Sequence, residues 1–337
     1  PGPQAAPSRR DRRRKAAPTP SGGAGQVHGK NAASSPAPSP GPVPPFLVNS
    51  VPKAGTHLLK KIVEMLPGIT PTGLEVLNYL ADEYGGTSGS AEKTCLVGVD
   101  WPRPVPLPGL RQTLMDIPPG HFAIAHSRYS EEFSTLVEEL GMRTLLILRD
   151  PRDVVVSHAS FVARKREHFL YDIYAPLNED ERIERSITGI APDSGGGPML
   201  LNIAERFRSV LPWMPRKYNY TTYFEMLVGE KGGGIREVQI EEIRNLLKHL
   251  GIPAPEEKIE AVAEGVFGGT YTYRKGRIGA WRSRFTEKHI RLFKEIAGQL
   301  LIDLGYERNL DWRADETAPC PAEAAPADSF ARRGAAS

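Results

Sequence analysis

Three features predict that residues 46–312 fold as an α/β domain with a central parallel sheet flanked by helices. Short apolar runs of strand length alternate with segments whose apolar residues recur at helical spacing. Each run stops at a Gly, Pro or charged turn from which the next helix starts. Apolar residues make up 40% of the 337-residue chain, enough for a sizeable core. Strands that are apolar throughout are buried on both faces, and such sheets bind ligands at the carboxyl ends of their strands.

The first unit is the run Phe46 to Val51, a Pro/Gly turn, and then Leu58, Leu59, Ile62, Val63 and Leu66 at helical spacing. The second is Phe122 to Ala125 followed by a helix over 131–140. The third is Thr144 to Leu148 followed by a helix over 151–164, where Pro151 suits a first turn that has no use for its missing N–H. Tyr218 to Tyr223 is read as a further strand, and helices are expected over 236–250, 256–265 and 287–304. Two stretches, 67–120 and 165–200, read as irregular insertions, the places where substrate-recognition loops lie.

The ends of the chain have a different composition. Residues 1–45 are rich in Pro, Ala, Ser and Gly without apolar periodicity, and 313–337 are similar; both are expected to be disordered tails. The net charge of +3 comes from the first tail, where Arg9, Arg10, Arg12, Arg13, Arg14, Lys15 and Lys30 face only Asp11. The remainder is mildly acidic, which argues against nucleic-acid binding through the core and leaves room for a focused cationic pocket. Two cysteines, Cys95 and Cys320, make no disulfide framework. No apolar run approaches the length of a membrane span. A reducing compartment, the cytoplasm, is the expectation, although an Arg-rich, acid-poor start also suits an organellar transit peptide.

Three clusters carry chemistry. Val51-Pro52-Lys53-Ala54-Gly55-Thr56-His57 joins a buried strand to a helix whose first amides point at any anion placed there. Lys53 adds a charge, Gly55 permits close approach, and Thr56 brings a hydroxyl. The loop is not a Walker A sequence, because its Lys precedes the only nearby Gly. The second cluster is Arg149-Asp150-Pro151-Arg152-Asp153 with Ser157: Arg149 can grip a phosphate bidentately, Asp150 can cap the helix and Asp153 can pair with Arg152. The third, Tyr273 to Arg282, concentrates four cations, two glycines and two aromatics. Each alone is equally readable as an ordinary turn or surface ion pair.

Together and in this order the three clusters resemble the sulfotransferases that use 3′-phosphoadenosine-5′-phosphosulfate, especially the cytosolic type, over residues 46–306. Pro52-Lys53-Ala54-Gly55-Thr56 is similar to the family's donor loop. Arg149 and Ser157 match its Arg and Ser eight residues apart, and Arg274-Lys275-Gly276 with Gly279-Ala280-Trp281 match its Arg-Lys-Gly and Gly-x-Trp. Phe224-Glu225-Met226-Leu227 is similar to a weaker signature, with Met226 in place of Asp. The resemblance implies a P-loop-NTPase-like sulfotransferase fold. It also implies a 5′-phosphosulfate held by Lys53 and the amides of Ala54, Gly55, Thr56 and His57, with Leu58 a further cofactor-binding position, and a 3′-phosphate held by Arg149, Ser157, Arg274, Lys275 and Gly276. Phe224 and Phe267 are placed near the adenine. The product nucleotide would be adenosine 3′,5′-bisphosphate, and no metal is required.

By the same resemblance His126, at the end of an apolar strand, is the general base, a task suited to a side chain that titrates near neutrality; His57 and His121 are the fallback candidates. Lys53 would stabilise the leaving nucleotide in an in-line displacement. Ile124 stands where the family often has Lys, Leu58 where an aromatic is common, and His57 where Thr or Ser is found. The acceptor, a small molecule or a glycan bearing a hydroxyl or amine, is left open, as is a homodimer. Tyr79, Tyr84, Trp101, Tyr129, Phe161, Tyr171 and Tyr174 either line its pocket or pack the core. A P-loop kinase, or a non-catalytic nucleotide-binding protein of the same fold, is the rival reading.

Overall fold

The computed structural model describes residues 41–85, 92–192, 194, 196–266 and 276–315. β1 (Phe46–Ser50) is buried along its whole length. A tight loop leads from it into α1 (Thr56–Glu64). There follow β2 (Thr70–Val76), α2 (Leu80–Gly85), the hairpin strands β3 (Thr94–Val97) and β4 (Arg103–Pro106), and α3 (Leu107–Met115). β5 (His121–Ala125), α4 (Glu131–Glu139), β6 (Arg143–Leu148) and α5 (Pro151–Val162) complete the nucleus of the domain. Beyond them come α6 (Tyr171–Tyr174), α7 (Glu179–Thr188), α8 (Ile203–Arg208), β7 (Asn219–Tyr223), α9 (Phe224–Leu227), α10 (Arg236–Leu250), α11 (Glu256–Gly265) and α12 (Glu287–Asp303).

Five strands form one parallel sheet in the order β2-β5-β1-β6-β7. Because strand side chains alternate in direction, β1 feeds two cores. Leu47 joins Ala123, Leu146, Leu148 and the apolar faces of α4, α5, α7, α8 and α12. Phe46 and Val48 join Phe122, Leu145, Ile147 and the faces of α1, α10 and α11. The Phe46 and Phe122 rings stack at 5.4 Å, fixing the register of β1 against β5. Each large apolar side chain buried here contributes about 1.5–3 kcal/mol, so helices on both faces are what make a fully apolar central strand stable.

The expected central strands and the later helices are all present. Residues 67–120 are not irregular, however: they hold β2, α2, β3, β4 and α3. β2 reads Thr-Pro-Thr-Gly-Leu-Glu-Val with mostly exposed or half-buried residues, and its register against β5 shifts between Pro71 and Glu75. Such a strand fits only at a sheet edge, where a missing N–H costs no ladder bond, and it has no apolar run to betray it. Likewise 165–200 contains α7, started by a capping box of Asn178 and Glu181. The expected start at residue 46 is also late, since the carbonyls of Val43 and Pro45 accept from the Gly120 and Arg143 amides. At the other end Trp312 is buried against Trp281 and Phe293. Beyond it, Arg282 Nη1 donates to the carbonyls of Arg313 and Ala314, and residues 1–40 and 316–337 lie outside the described residues.

The C-terminal segment is tied to the β6–α5 junction through Arg152, which is wholly buried. Its guanidinium pairs with Asp150 at 2.8 Å and Glu307 at 2.5 Å, and lies over the rings of Trp281 and Trp312. The expected partner Asp153 is not the one used, because neighbouring residues on a helix do not face each other. Asp150 does cap α5, accepting from the Arg152 amide. Removing one member of a buried ion network leaves the others uncompensated, so Arg152→Ala is expected to cost about 3–5 kcal/mol. A urea unfolding midpoint within error of the unsubstituted chain would contradict this.

Candidate active site

The loop at the carboxyl end of β1 turns twice through the left-handed region. Lys53 has φ of 74°, the only non-glycine residue with positive φ among those described, and Gly55 has φ of 118°. A Cβ at Gly55 would come within 2.9 Å of Ile147 Cδ1 and 3.1 Å of Phe224 Cδ2, so only glycine fits against the sheet here. α1 then opens with no side-chain cap and no acidic residue in its first turn. The Ala54 amide donates to Val51 O and the Leu58 amide to Gly55 O. The amides left for an anion are therefore those of Gly55, Thr56 and His57, fewer than expected. The Leu58 side chain is committed to the core beneath α1.

Lys53 is half-buried with Nζ 3.8 Å from the centroid of the Phe161 ring. Burial, and then Arg149, Arg164 and Lys165, push its ammonium down to about 8. A cation so placed is short of negative partners and is stabilised when an anion arrives.

His126 follows β5, one strand over from the loop. Its Nδ1 lies 3.0 Å from the Ser50 carbonyl oxygen and 3.1 Å from Ser50 Oγ. A carbonyl can only accept, so Nδ1 carries the proton and Nε2 keeps its lone pair. Nε2 has no hydrogen-bond partner among the described residues. Burial, the largest influence, together with Lys53 and His57, pushes the imidazole down to about 4, against opposing effects of the Ser50 carbonyl and Asp100. At neutral pH the ring is therefore an uncharged acceptor. Ser50 Oγ also meets Thr56 Oγ1 at 2.6 Å, which joins His126 through Ser50 to the first residue of α1. Asn49 clamps the strand ends: its Oδ1 accepts from the Ser50 and Ser127 amides and its Nδ2 donates to Ser127 O.

On the other side of β1, Arg149 leaves the end of β6 almost fully buried, stacked 4.1 Å from the Phe224 ring centroid. Its Nη2 donates to Arg277 O at 2.9 Å and Asp153 Oδ2 at 3.3 Å, while Nε is buried with no partner. Asp153 in turn accepts from the amides of Gly279 and Trp281, both at 2.9 Å. The second and third sequence clusters are thus brought together by one carboxylate. The hydroxyl of half-buried Ser157 has no hydrogen-bond partner among the described residues, and Gly276 enters this loop half-buried. Phe267, Arg274 and Lys275 lie outside the described residues. Phe224 is buried as the support beneath Arg149. No group of three His, Cys, Asp or Glu among the described residues is arranged to hold a metal ion.

No family model matches the chain, and no curated protein matches it. Solved structures do. Mouse sulfotransferase SULT7A1 complexed with PAP superposes with a TM-score of 0.53 at 16% identity, over 77% of this chain and 85% of that one. Retinol dehydratase in complex with androsterone and inactive cofactor PAP follows at 0.48 and 17%, over 76% and 80%. This chain has the sulfotransferase fold.

Within the sulfotransferase fold, His126, Lys53 and Thr56 gather at the carboxyl ends of β1 and β5, and Arg149 at that of β6. His121 begins β5, at the opposite end of the strands from His126, and its Nδ1 lies 3.0 Å from Pro119 O. His57 is exposed on the first turn of α1. Of the aromatic candidates Tyr174 is fully buried and Tyr84 bonds to Thr113, both packing roles. Three residues escaped the sequence reading: Asn49, Ser50 and the bridging function of Asp153. The signal for the first two was present, as two polar residues inside an otherwise apolar buried strand. Gly55→Ala is expected to lower stability by about 1–3 kcal/mol, since it combines a positive φ with one contact below 3 Å and one at 3.1 Å. An unchanged thermal midpoint would show that the loop relaxes freely.

Proposed function

We propose that the protein transfers a sulfuryl group from 3′-phosphoadenosine-5′-phosphosulfate to an acceptor hydroxyl or amine. The observation that carries this reading is the paired geometry at Ser50. One residue holds His126 in the tautomer with a free Nε2 and also bonds the threonine that starts the anion-binding helix. A proton acceptor and a phosphate cradle are thereby fixed to each other.

The fit of the donor rests on the two anion-binding ends. The amides of Gly55 to His57 and the Lys53 ammonium suit a 5′-phosphosulfate. Arg149, with an unpartnered buried Nε, and the free hydroxyl of Ser157 suit a 3′-phosphate. When bound, this donor supplies an activated sulfuryl group whose leaving partner is a nucleotide phosphate. His126 Nε2 takes the acceptor's proton as the nucleophile advances on sulfur, and Nδ1–H stays on Ser50 O, which steadies the imidazolium that forms. Lys53 faces the charge that gathers on the bridging oxygen as the bond to sulfur breaks. SULT7A1 and retinol dehydratase, complexed with PAP, are in keeping with this reading of the donor.

With sulfur-labelled donor and a panel of acceptors, label is expected to appear on product with the unsubstituted chain. Lys53→Ala and His126→Ala are each expected to lower turnover by about 100-fold or more. Product formation unchanged by both substitutions would refute the mechanism, and donor binding without turnover on any acceptor would favour a non-catalytic protein. Lys53 is charged below about 8 in the free protein, so calorimetric affinity for adenosine 3′,5′-bisphosphate should weaken as pH rises through that value. Lys53→Ala should bind more weakly and lose this dependence. A wild-type affinity that is flat from pH 7 to 9 would remove Lys53 from the donor site.

A further inference from the structure

We propose that the acceptor is an aromatic alcohol or phenol carrying a negatively charged group, seated along a ladder of rings that begins at Lys53. The inference rests on the sulfuryl-transfer reading above and narrows its open term.

The ladder is continuous. Lys53 Nζ stands over Phe161 at 3.8 Å. Phe161 meets His168 edge-on at 5.8 Å, His168 stacks on Phe169 at 4.5 Å, and Phe169 meets Trp101 at 5.2 Å. All four rings are half-buried, and Phe161 and Phe169 pack on the small core of Val162, Leu170, Tyr174 and Leu200. Burial keeps His168 uncharged, pushed down to about 4, so it acts as a fourth flat ring. Half-open rings spaced in this way match a planar guest, which gains apolar contact and ring-on-ring geometry together. The nearest rung to the reacting centre is the one under the transfer lysine.

Charge sets the second requirement. Arg164, Lys165 and Arg166 follow α5 as three exposed cations in a row, and none forms an ion pair among the described residues. Lys165 Nζ lies 5.8 Å from the Phe161 ring centroid, beside the first rung. The buried acid nearest this region, Asp100, is taken by Arg206 at 2.6 Å, and Glu167 is the one acid within the exposed turn itself. At the far end of the ladder Arg103 covers Trp101 but is neutralised by Asp82. The excess positive charge is therefore at the Lys53 end. Arg149, which suits the nucleotide's 3′-phosphate, stands at the opposite end of α5 from this triplet. Arg164 Nε donates only to the Ser160 carbonyl, and cations without acidic partners beside half-open rings select guests by charge as well as shape.

The test loads the full chain with adenosine 3′,5′-bisphosphate and measures by calorimetry the binding of 3-(4-hydroxyphenyl)propionate and of its methyl ester. The acid is expected to bind tighter than the ester by about tenfold, the scale of one desolvated charge contact. Arg164→Gln/Lys165→Gln should bring the ratio of the two affinities close to one, and Phe161→Leu should weaken both ligands. An ester that binds as well as the acid, or a ratio that survives the double substitution, would overturn the proposal while leaving sulfuryl transfer standing. So would a double variant whose loss falls on the nucleotide instead of the acid, because the cations would then serve the donor. If the unsubstituted chain does not bind adenosine 3′,5′-bisphosphate at all, the donor reading itself fails and this one with it.

Discussion

Ser50 occupies the last position of the central strand, and two different parts of it are used at once. Its carbonyl oxygen holds the Nδ1–H of His126 and its hydroxyl meets Thr56. A strand end is the only place where one residue can do both, because its carbonyl is no longer needed by the sheet while its position is still fixed by β1 and its neighbours. The chemistry we propose imposes the same demand: a base and an anion cradle that moved independently by an ångström would lose most of the benefit of proximity. The buried Asn49 clamp reinforces this, since it joins the ends of β1 and β5 before either loop departs. The burial of Phe46, Leu47 and Val48 on two opposite cores holds the strand itself in place.

Asp153 plays the corresponding part on the other side. It is almost fully buried, it faces Arg149, and it takes the amides of Gly279 and Trp281. A carboxylate with three such partners ties a loop distant in sequence to the first turn of α5, so the strand-end arginine and that loop share one frame. Glu225 extends it. Burial pushes its carboxyl up to about 7, and it accepts from the Asp150 amide and from Tyr306. Arg152 closes the frame from the C-terminal side. Much of the polar burial in this protein therefore holds loops in place around the site.

The parts of the molecule that could be read from sequence are those where one physical pattern dominates. β1, β5 and β6 are apolar because both faces are covered, and α1 and α5 announce themselves by spacing and by Pro151. The strand-to-helix turn after β1 is legible through Pro52, Lys53 and Gly55, and the position of His126 through the apolar strand before it. β2 was missed because an edge strand with Pro71 and Gly73 has neither an apolar run nor strict alternation. Asp153 was assigned to Arg152 because sequence adjacency is visible and a loop 126 residues away is not. Sequence points to the Ala54 amide as a ligand donor because it does not tell which amides the loop uses for itself. Trp101, His168 and Phe169 come from two regions expected to be irregular, and only the folded chain makes them neighbours.

The central claim is that Ser50 fixes His126 with Nε2 unprotonated and ready to accept. Nitrogen-15 NMR of the histidine ring, read through its two-bond couplings at pH 7, reports the tautomer directly. His126 is expected to be neutral with its proton on Nδ1. A ring protonated on Nε2, or one exchanging between both forms, would contradict it.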